Sequence, residues 1–140
     1  MSEQSPSIGV DFGTTNSCVA WYDSRTGSAE VILNAEGQAK TPSLVYFGEN
    51  ETLVGEPVEH LIEDVSTEKT QGEEVFGRTV MSIKRNLLTP PRIALPGGRF
   101  VRPVGVVAEI LKKLKRDAEE GHFHEEVKRA VITCPAEFNV

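Results

Sequence analysis

Three features of the 140-residue sequence predict an α/β fold. The first third is a succession of short apolar or alternating runs set between turn residues, the pattern of strands joined in sequence. Further on, Val104, Val107, Leu111, Leu114 and Ala118 recur at helical spacing on one face. A second apolar run, residues 129–134, comes after that helix and reads as a strand.

Taken in order, residues 7–12, 17–23 and 29–34 read as strands, with DSRTG (23–27) turning the chain between the second and third. NAEG (34–37) turns again. Pro42 pushes Thr41 to an extended conformation, and LVYF (44–47) resumes a strand. Residues 57–64 predict a short helix, 65–77 a polar connector without a period, and 78–88 a second helix carrying SIKRNLL. TPPRIALPGG (89–98) is turn-rich, and RFVRP is a strand candidate whose Pro103 suits the opening of a helix. That helix covers 104–120 and ends at Gly121, with Lys112, Lys113, Lys115 and Arg116 expected on a solvated face. The chain stops just after a strand expected to be buried, so a piece of a longer protein is expected.

Fifteen basic against twenty-one acidic residues give a net charge of -6, which argues against a nucleic-acid surface. No apolar run approaches the roughly 20 residues that span a bilayer, and MSEQSPS has neither the basic nor the apolar region of a signal peptide. A cytoplasmic protein without a membrane partner is expected, with Cys18 and Cys134 as buried free thiols.

The chemistry concentrates in IGVDFGTTNSCVA (8–20). Gly13 removes the Cβ that keeps a ligand from the backbone. Successive N–H groups in such a turn can converge on an oxyanion, and Thr14 and Thr15 add hydroxyl donors. Asp11 alone repels a phosphate. Mg²⁺ resolves the conflict, because it keeps its waters and takes a carboxylate on one side and phosphate oxygens on the other. The competing reading is an Asx-type turn in a hairpin, with no ligand. No GxxxxGK[ST] is present, and DFG stands without the other protein-kinase motifs. His122 and His124 lie in EEGHFHEE, where a solvated connector is favoured over a metal site because no thiolate or third histidine is near.

IGVDFGTTNSCVA closely resembles the first phosphate loop of the Hsp70 (DnaK-type) chaperones, within the actin/hexokinase-like ATPase superfamily. Five more matches occur in the family's order: NAEGQAKTPS (34–43), ETLVGEP (51–57), SIKRNLL (82–88), VVAEILKKLKRDAEE (106–120) and AVITCPAEFN (130–139). The resemblance implies a ribonuclease H-like, actin-like ATPase fold, of which this chain is the first half of lobe I. Residues 1–42 then start subdomain IA, 43–102 form an abbreviated subdomain IB, and 103–140 return into IA.

By the same resemblance, ATP or ADP is the ligand and Asp11 holds Mg²⁺ through water. Gly13, Thr14, Thr15 and Asn16 wrap the phosphates, and Lys84 reaches the γ-phosphate and the attacking water. Without the resemblance, Lys84 reads as a surface lysine on a helix. Pro135 matches a proline linked to relaying nucleotide state. Glu137 stands where the family has tyrosine. Expected partners are unfolded polypeptides through a C-terminal domain absent here, a J-domain co-chaperone and a nucleotide exchange factor. The alternatives are a non-hydrolysing Hsp70-like regulator or exchange factor and, on Asp-x-Gly-Thr-Thr alone, a small-molecule kinase.

Overall fold

A computed structural model describes residues 5–87 and 91–133. The chain opens with β1 (Ser7–Asp11), β2 (Asn16–Asp23), β3 (Ser28–Ile32), β4 (Thr41–Pro42), β5 (Leu44–Phe47) and β6 (Thr52–Val54). Two helices come next, α1 (Glu56–Val65) and α2 (Lys69–Gly77), then β7 (Thr79–Met81), β8 (Ile93–Leu95) and β9 (Arg99–Val101). The long helix α3 (Pro103–Ala118) and β10 (Arg129–Ile132) complete the set. Residues 1–41 with 114–140 form one compact unit, and residues 42–113 a second.

The first unit is built on a sheet of order β10-β1-β2-β3, with the short β4 also paired to β2. Strands β1 to β3 are antiparallel neighbours, joined by short turns as their alternation predicts. Ile8, Val10, Val19 and Ile32 are buried, the period of two that a sheet with one covered face requires. Leu114, Asp117 and Ala118 line, with Val19 and Ile32, a cavity of about 10 Å³, room for one water at most. The end of α3 therefore packs on that face. The DSRTG turn is held by Asp23, whose carboxylate accepts from the Arg25 backbone N–H at 2.9 Å and from its Nε at 3.1 Å.

Strand β10 runs parallel to β1, with Val10 opposite Ile132. The sequence reads this strand as buried, but all four of its residues are exposed, Val131 at 76%. It lies at the end of the sheet order, so its apolar character marks a surface that this unit does not cover.

Helix α3 departs from expectation in its facing. Val106, Ile110, Leu114 and Ala118 are buried, whereas Val104 is 63% exposed. Lys113 and Asp117 share the buried face, so Lys113 is not part of the expected solvated stripe. The helix does not run to 120: residues Glu119–Phe123 widen into a π-helical turn that closes with His124 at φ 55°. This turn sets the His122 and Phe123 rings 5.0 and 5.4 Å from the Trp21 ring, edge to face. His122 and His124 are both exposed, as expected of a solvated segment, while the His122 ring also joins an aromatic cluster.

Glu119 ties the turn to the segment leading into β10, by an ion pair with Lys115 and by accepting from the Val127 N–H at 2.7 Å. The Lys115 ammonium first, then the Val127 N–H, hold its carboxyl below the usual carboxylate range. A carboxyl lowered on folding stabilises above its unfolded pKa and loses that contribution as pH falls through the folded value. Protection of the Val127 amide is therefore expected to fall as the Glu119 carboxylate takes up its proton. In Glu119→Gln the protection is expected to be lower and flat across the same acid range, as read by amide exchange corrected for the intrinsic rate.

In the second unit, α1 packs on the three-stranded sheet β6-β5-β7 and against α2. Gly55 at φ 81° turns the chain into α1, where Pro57 and the acids Glu56 and Glu59 suit the first turn. Helix α2 replaces the connector expected over 65–77. Its signal is weak because only Gly72 and Val75 are buried. Gly72 lets it approach closely, since a Cβ there would stand 3.3 Å from the Val65 carbonyl oxygen.

The helix expected over 78–88 is absent from the described part of that range. Thr79–Met81 instead pair with β5, Val80 opposite Val45. Ser82 at φ 54° then breaks the chain into a single 3₁₀ turn, Ile83–Asn86. β-Branched Thr79 and Val80 favour the strand, and Ile83 at 1% exposure pins the turn. Ile83→Ala is expected to cost about 2–5 kcal/mol, as deletion of a buried aliphatic side chain does, measured by denaturant unfolding. The turn-rich segment yields one more strand than expected: β8 and β9 form a hairpin through Pro96–Gly98, with Gly97 and Gly98 at positive φ.

Candidate functional site

The turn between β1 and β2 brings Asp11, Gly13, Thr14, Thr15 and Asn16 together at one end of the first unit's sheet. Asp11 is the last residue of β1, opposite Cys18 of β2. Phe12, at 4% exposure, anchors the turn in the core, while Asp11, Thr15 and Asn16 are exposed and Thr14 is half-buried. Such a short connection holds because of Gly13: a Cβ there would lie 1.9 Å from the Asn16 carbonyl oxygen.

Two N–H groups of the turn are used internally. Gly13 donates to the buried Ser17 Oγ at 3.2 Å, and Phe12 donates to Thr133 Oγ1 at 3.3 Å. Gly13 therefore acts through the closeness of the turn more than as a donor, with Thr14 half-buried and Thr15 and Asn16 exposed at its tip. The Asp11 carboxylate is itself held: Thr133 Oγ1 donates to its Oδ1 at 3.0 Å. The Thr133 N–H donates to the Val10 carbonyl at 2.9 Å.

Beside this turn, the uncovered sheet face carries a depression of about 250 Å³ lined by Gly9, Asp11, Cys18, Ala20, Val131 and Thr133. Cys18 is a free, half-buried thiol. Among the described residues, no group of three or more His, Cys, Asp or Glu side chains forms a metal cage, and no helix is long and apolar enough to cross a membrane.

Lys84 stands in the second unit, half-buried on the turn Ile83–Asn86, not on an α-helix. Cys134, Pro135 and Glu137 lie outside the described residues. Sequence reasoning missed Thr133 and Ser17 as partners of the turn. Ser17 was findable as a hydroxyl four residues after Gly13; Thr133 was not, because only the parallel pairing of β10 with β1 brings it there.

A carboxylate at a strand end, a tight glycine turn and two adjacent threonines thus stand together at one end of this sheet. The Hsp70 protein family model matches residues 7–140. This chain belongs to the Hsp70 family. It is 46% identical over 133 residues to the chaperone protein DnaK of Thermosipho melanesiensis and to that of Thermosipho africanus, and 44% identical to that of Thermotoga neapolitana. Each alignment covers 94% of this chain and 20% of the relative, so the chain spans about a fifth of the length of the proteins it matches. The family has an actin-like ATPase fold, and the mixed α/β architecture agrees with it.

Proposed function

We propose that this chain is the N-terminal portion of an Hsp70-type chaperone ATPase, in which Mg·ATP binding and hydrolysis drive the binding and release of unfolded polypeptide. The observation that carries the reading is the Asp11–Thr133 anchor beside the Gly13 turn, in a chain of this family. Residues 1–42 begin subdomain IA, 43–102 form a short IB, and 103–140 return to IA, within the first half of lobe I of a ribonuclease H-like fold.

The donor set fits Mg²⁺ with a polyphosphate. Asp11 offers a hard, exposed carboxylate, and the threonine hydroxyls offer donors to phosphate oxygens. When bound, the ion neutralises charge shared between carboxylate and phosphate. Asp11 holds its water shell, and Thr14, Thr15 and Asn16 bind the phosphates over the turn that Gly13 closes. Lys84 orients the attacking water and contacts the terminal phosphate, as a mobile point charge can. Pro135 relays nucleotide state towards the peptide-binding domain.

The depression of about 250 Å³ is smaller than the roughly 300–1,000 Å³ of small-molecule pockets. Its lining is mainly apolar, with Gly9, Val10, Ala20 and Val131 beside Asp11 and Thr133, so the phosphates are assigned to the neighbouring turn and not to this depression. This chain alone binds ATP weakly or not at all and does not hydrolyse it, because phosphoryl transfer depends on donors arranged on both sides of the substrate. In the intact protein the partners are unfolded polypeptides, a J-domain co-chaperone and a nucleotide exchange factor, in the cytoplasm.

Calorimetry with Mg·ATP, together with peptide-stimulated turnover of the intact protein, tests the reading. Stimulated hydrolysis by the intact protein and none by this chain is expected. Steady turnover by the chain alone contradicts the division of labour. Nucleotide binding without turnover in the intact protein points instead to a non-hydrolysing regulator.

A further inference from the structure

We infer that Thr133 is a positioning residue that sets which oxygen of Asp11 faces the cation, an inference that rests on the proposed Mg²⁺-nucleotide site. Three hydrogen bonds join this one residue to three consecutive residues of the β1 end. Its N–H donates to the Val10 carbonyl at 2.9 Å, its Oγ1 accepts from the Phe12 N–H at 3.3 Å, and its Oγ1–H donates to Asp11 Oδ1 at 3.0 Å.

The direction of these bonds is set by chemistry. An amide N–H only donates, so the hydroxyl receives the Phe12 proton on a lone pair. Its single proton is then directed to Asp11, which accepts as a carboxylate. Oδ1 is thereby tied, and Oδ2 is the oxygen presented to the water shell of a metal. Holding the carboxylate in one orientation removes rotamer freedom that would otherwise be lost on binding.

The arrangement also depends on register. Val10 stands opposite Ile132 across the parallel pair, and a slip of one residue moves Thr133 by about 3.3 Å, beyond the reach of the Asp11 hydrogen bond. A threonine or serine is required for the hydroxyl. Valine has the same shape but can neither accept from Phe12 nor donate to Asp11.

The test uses the intact protein, with fluorescent ADP binding measured as Mg²⁺ is titrated, for the wild type, Thr133→Val and Thr133→Ser. Orienting groups behind a metal ligand change metal affinity by about 10–100-fold, and this anchor acts at the low end because the ion is held through water. Thr133→Val is expected to raise the half-saturating Mg²⁺ concentration about tenfold, and Thr133→Ser to restore the wild-type value. In an Asp11→Asn background, Thr133→Val is expected to produce no further change. Should the valine variant fail to fold, Thr133→Ala replaces it in the same titration.

A Thr133→Val curve that overlays a Mg²⁺-dependent wild type overturns the inference and leaves the nucleotide site standing. So does a serine variant that behaves like valine. A wild type that binds no nucleotide, or binds it without regard to Mg²⁺, overturns the nucleotide site itself and the inference with it.

Discussion

Gly13→Ala is expected to lower nucleotide affinity of the intact protein about 100-fold, the scale of a misplacement of about 1 Å at a positioned site. The added methyl group would start 1.9 Å from the Asn16 carbonyl oxygen and 3.1 Å from its carbon. Both neighbours are backbone, so the clash cannot be relieved by a side-chain rotation. The register Asp11 opposite Cys18 and Val10 opposite Val19 holds the strands on either side, and the turn itself must open. Opening it displaces Thr14 and Thr15 and pulls on the Gly13–Ser17 and Phe12–Thr133 hydrogen bonds. Overpacking of this kind also costs about 1–3 kcal/mol of stability. Calorimetric titration with Mg·ADP, beside a thermal melt, separates the two effects. An alanine variant that binds as the wild type does would mean the turn is not the phosphate site.

Lys84→Ala is expected to leave nucleotide affinity nearly unchanged and to slow hydrolysis about 10²–10³-fold, the loss expected on removal of one donor made for the transition state. The side chain stands on a turn that Ser82, in the left-handed region, and buried Ile83 define. It is thus carried on a fixed piece of backbone, as a group that must orient a nucleophile needs to be. Single-turnover kinetics on the intact protein measure the chemical step apart from binding. Unchanged turnover would make Lys84 a bystander.

The fold was legible where local pattern and tertiary environment agree. Strands β1 to β3 and β5 alternate or run apolar, and the turn residues between them mark their ends. Helix α1 is framed by Gly55 and Pro57. Helix α3 was legible as an element and its C-terminal facing at Leu114 and Ala118 was too, but towards its start Val106 and Ile110 are buried in place of Val104. Val104 and Val107 fit the same period as Val106 and Ile110, and only packing decides which row is covered. The range 78–88 shows the limit of a helix reading: Thr79–Met81 pair with β5 instead, and Ser82 at φ 54° confines the described residues after it to the single 3₁₀ turn Ile83–Asn86. Helix α2 has too few buried positions to leave a period, and β8 is hidden between prolines.

The candidate site divides along the same line. Asp11, Gly13, Thr14 and Thr15 were legible because the chemistry is contiguous in sequence. Thr133 was not, since 122 residues separate it from Asp11 and no spacing rule connects them. Its place depends on a long-range parallel pairing that a single sequence does not display. The place of β10 at the end of the sheet order explains why a strand expected to be buried is exposed here.

The central claim is that Asp11 and the Gly13-Thr14-Thr15 turn share a divalent cation with a polyphosphate. A crystal of the intact protein grown with ADP, phosphate and Mn²⁺ in place of Mg²⁺ tests it most directly, through the anomalous signal of manganese. A metal peak one water layer from the Asp11 carboxylate, with phosphate oxygens against the turn, is the predicted result. Nucleotide bound with its metal elsewhere, and the turn at Gly13 facing only solvent, would contradict it.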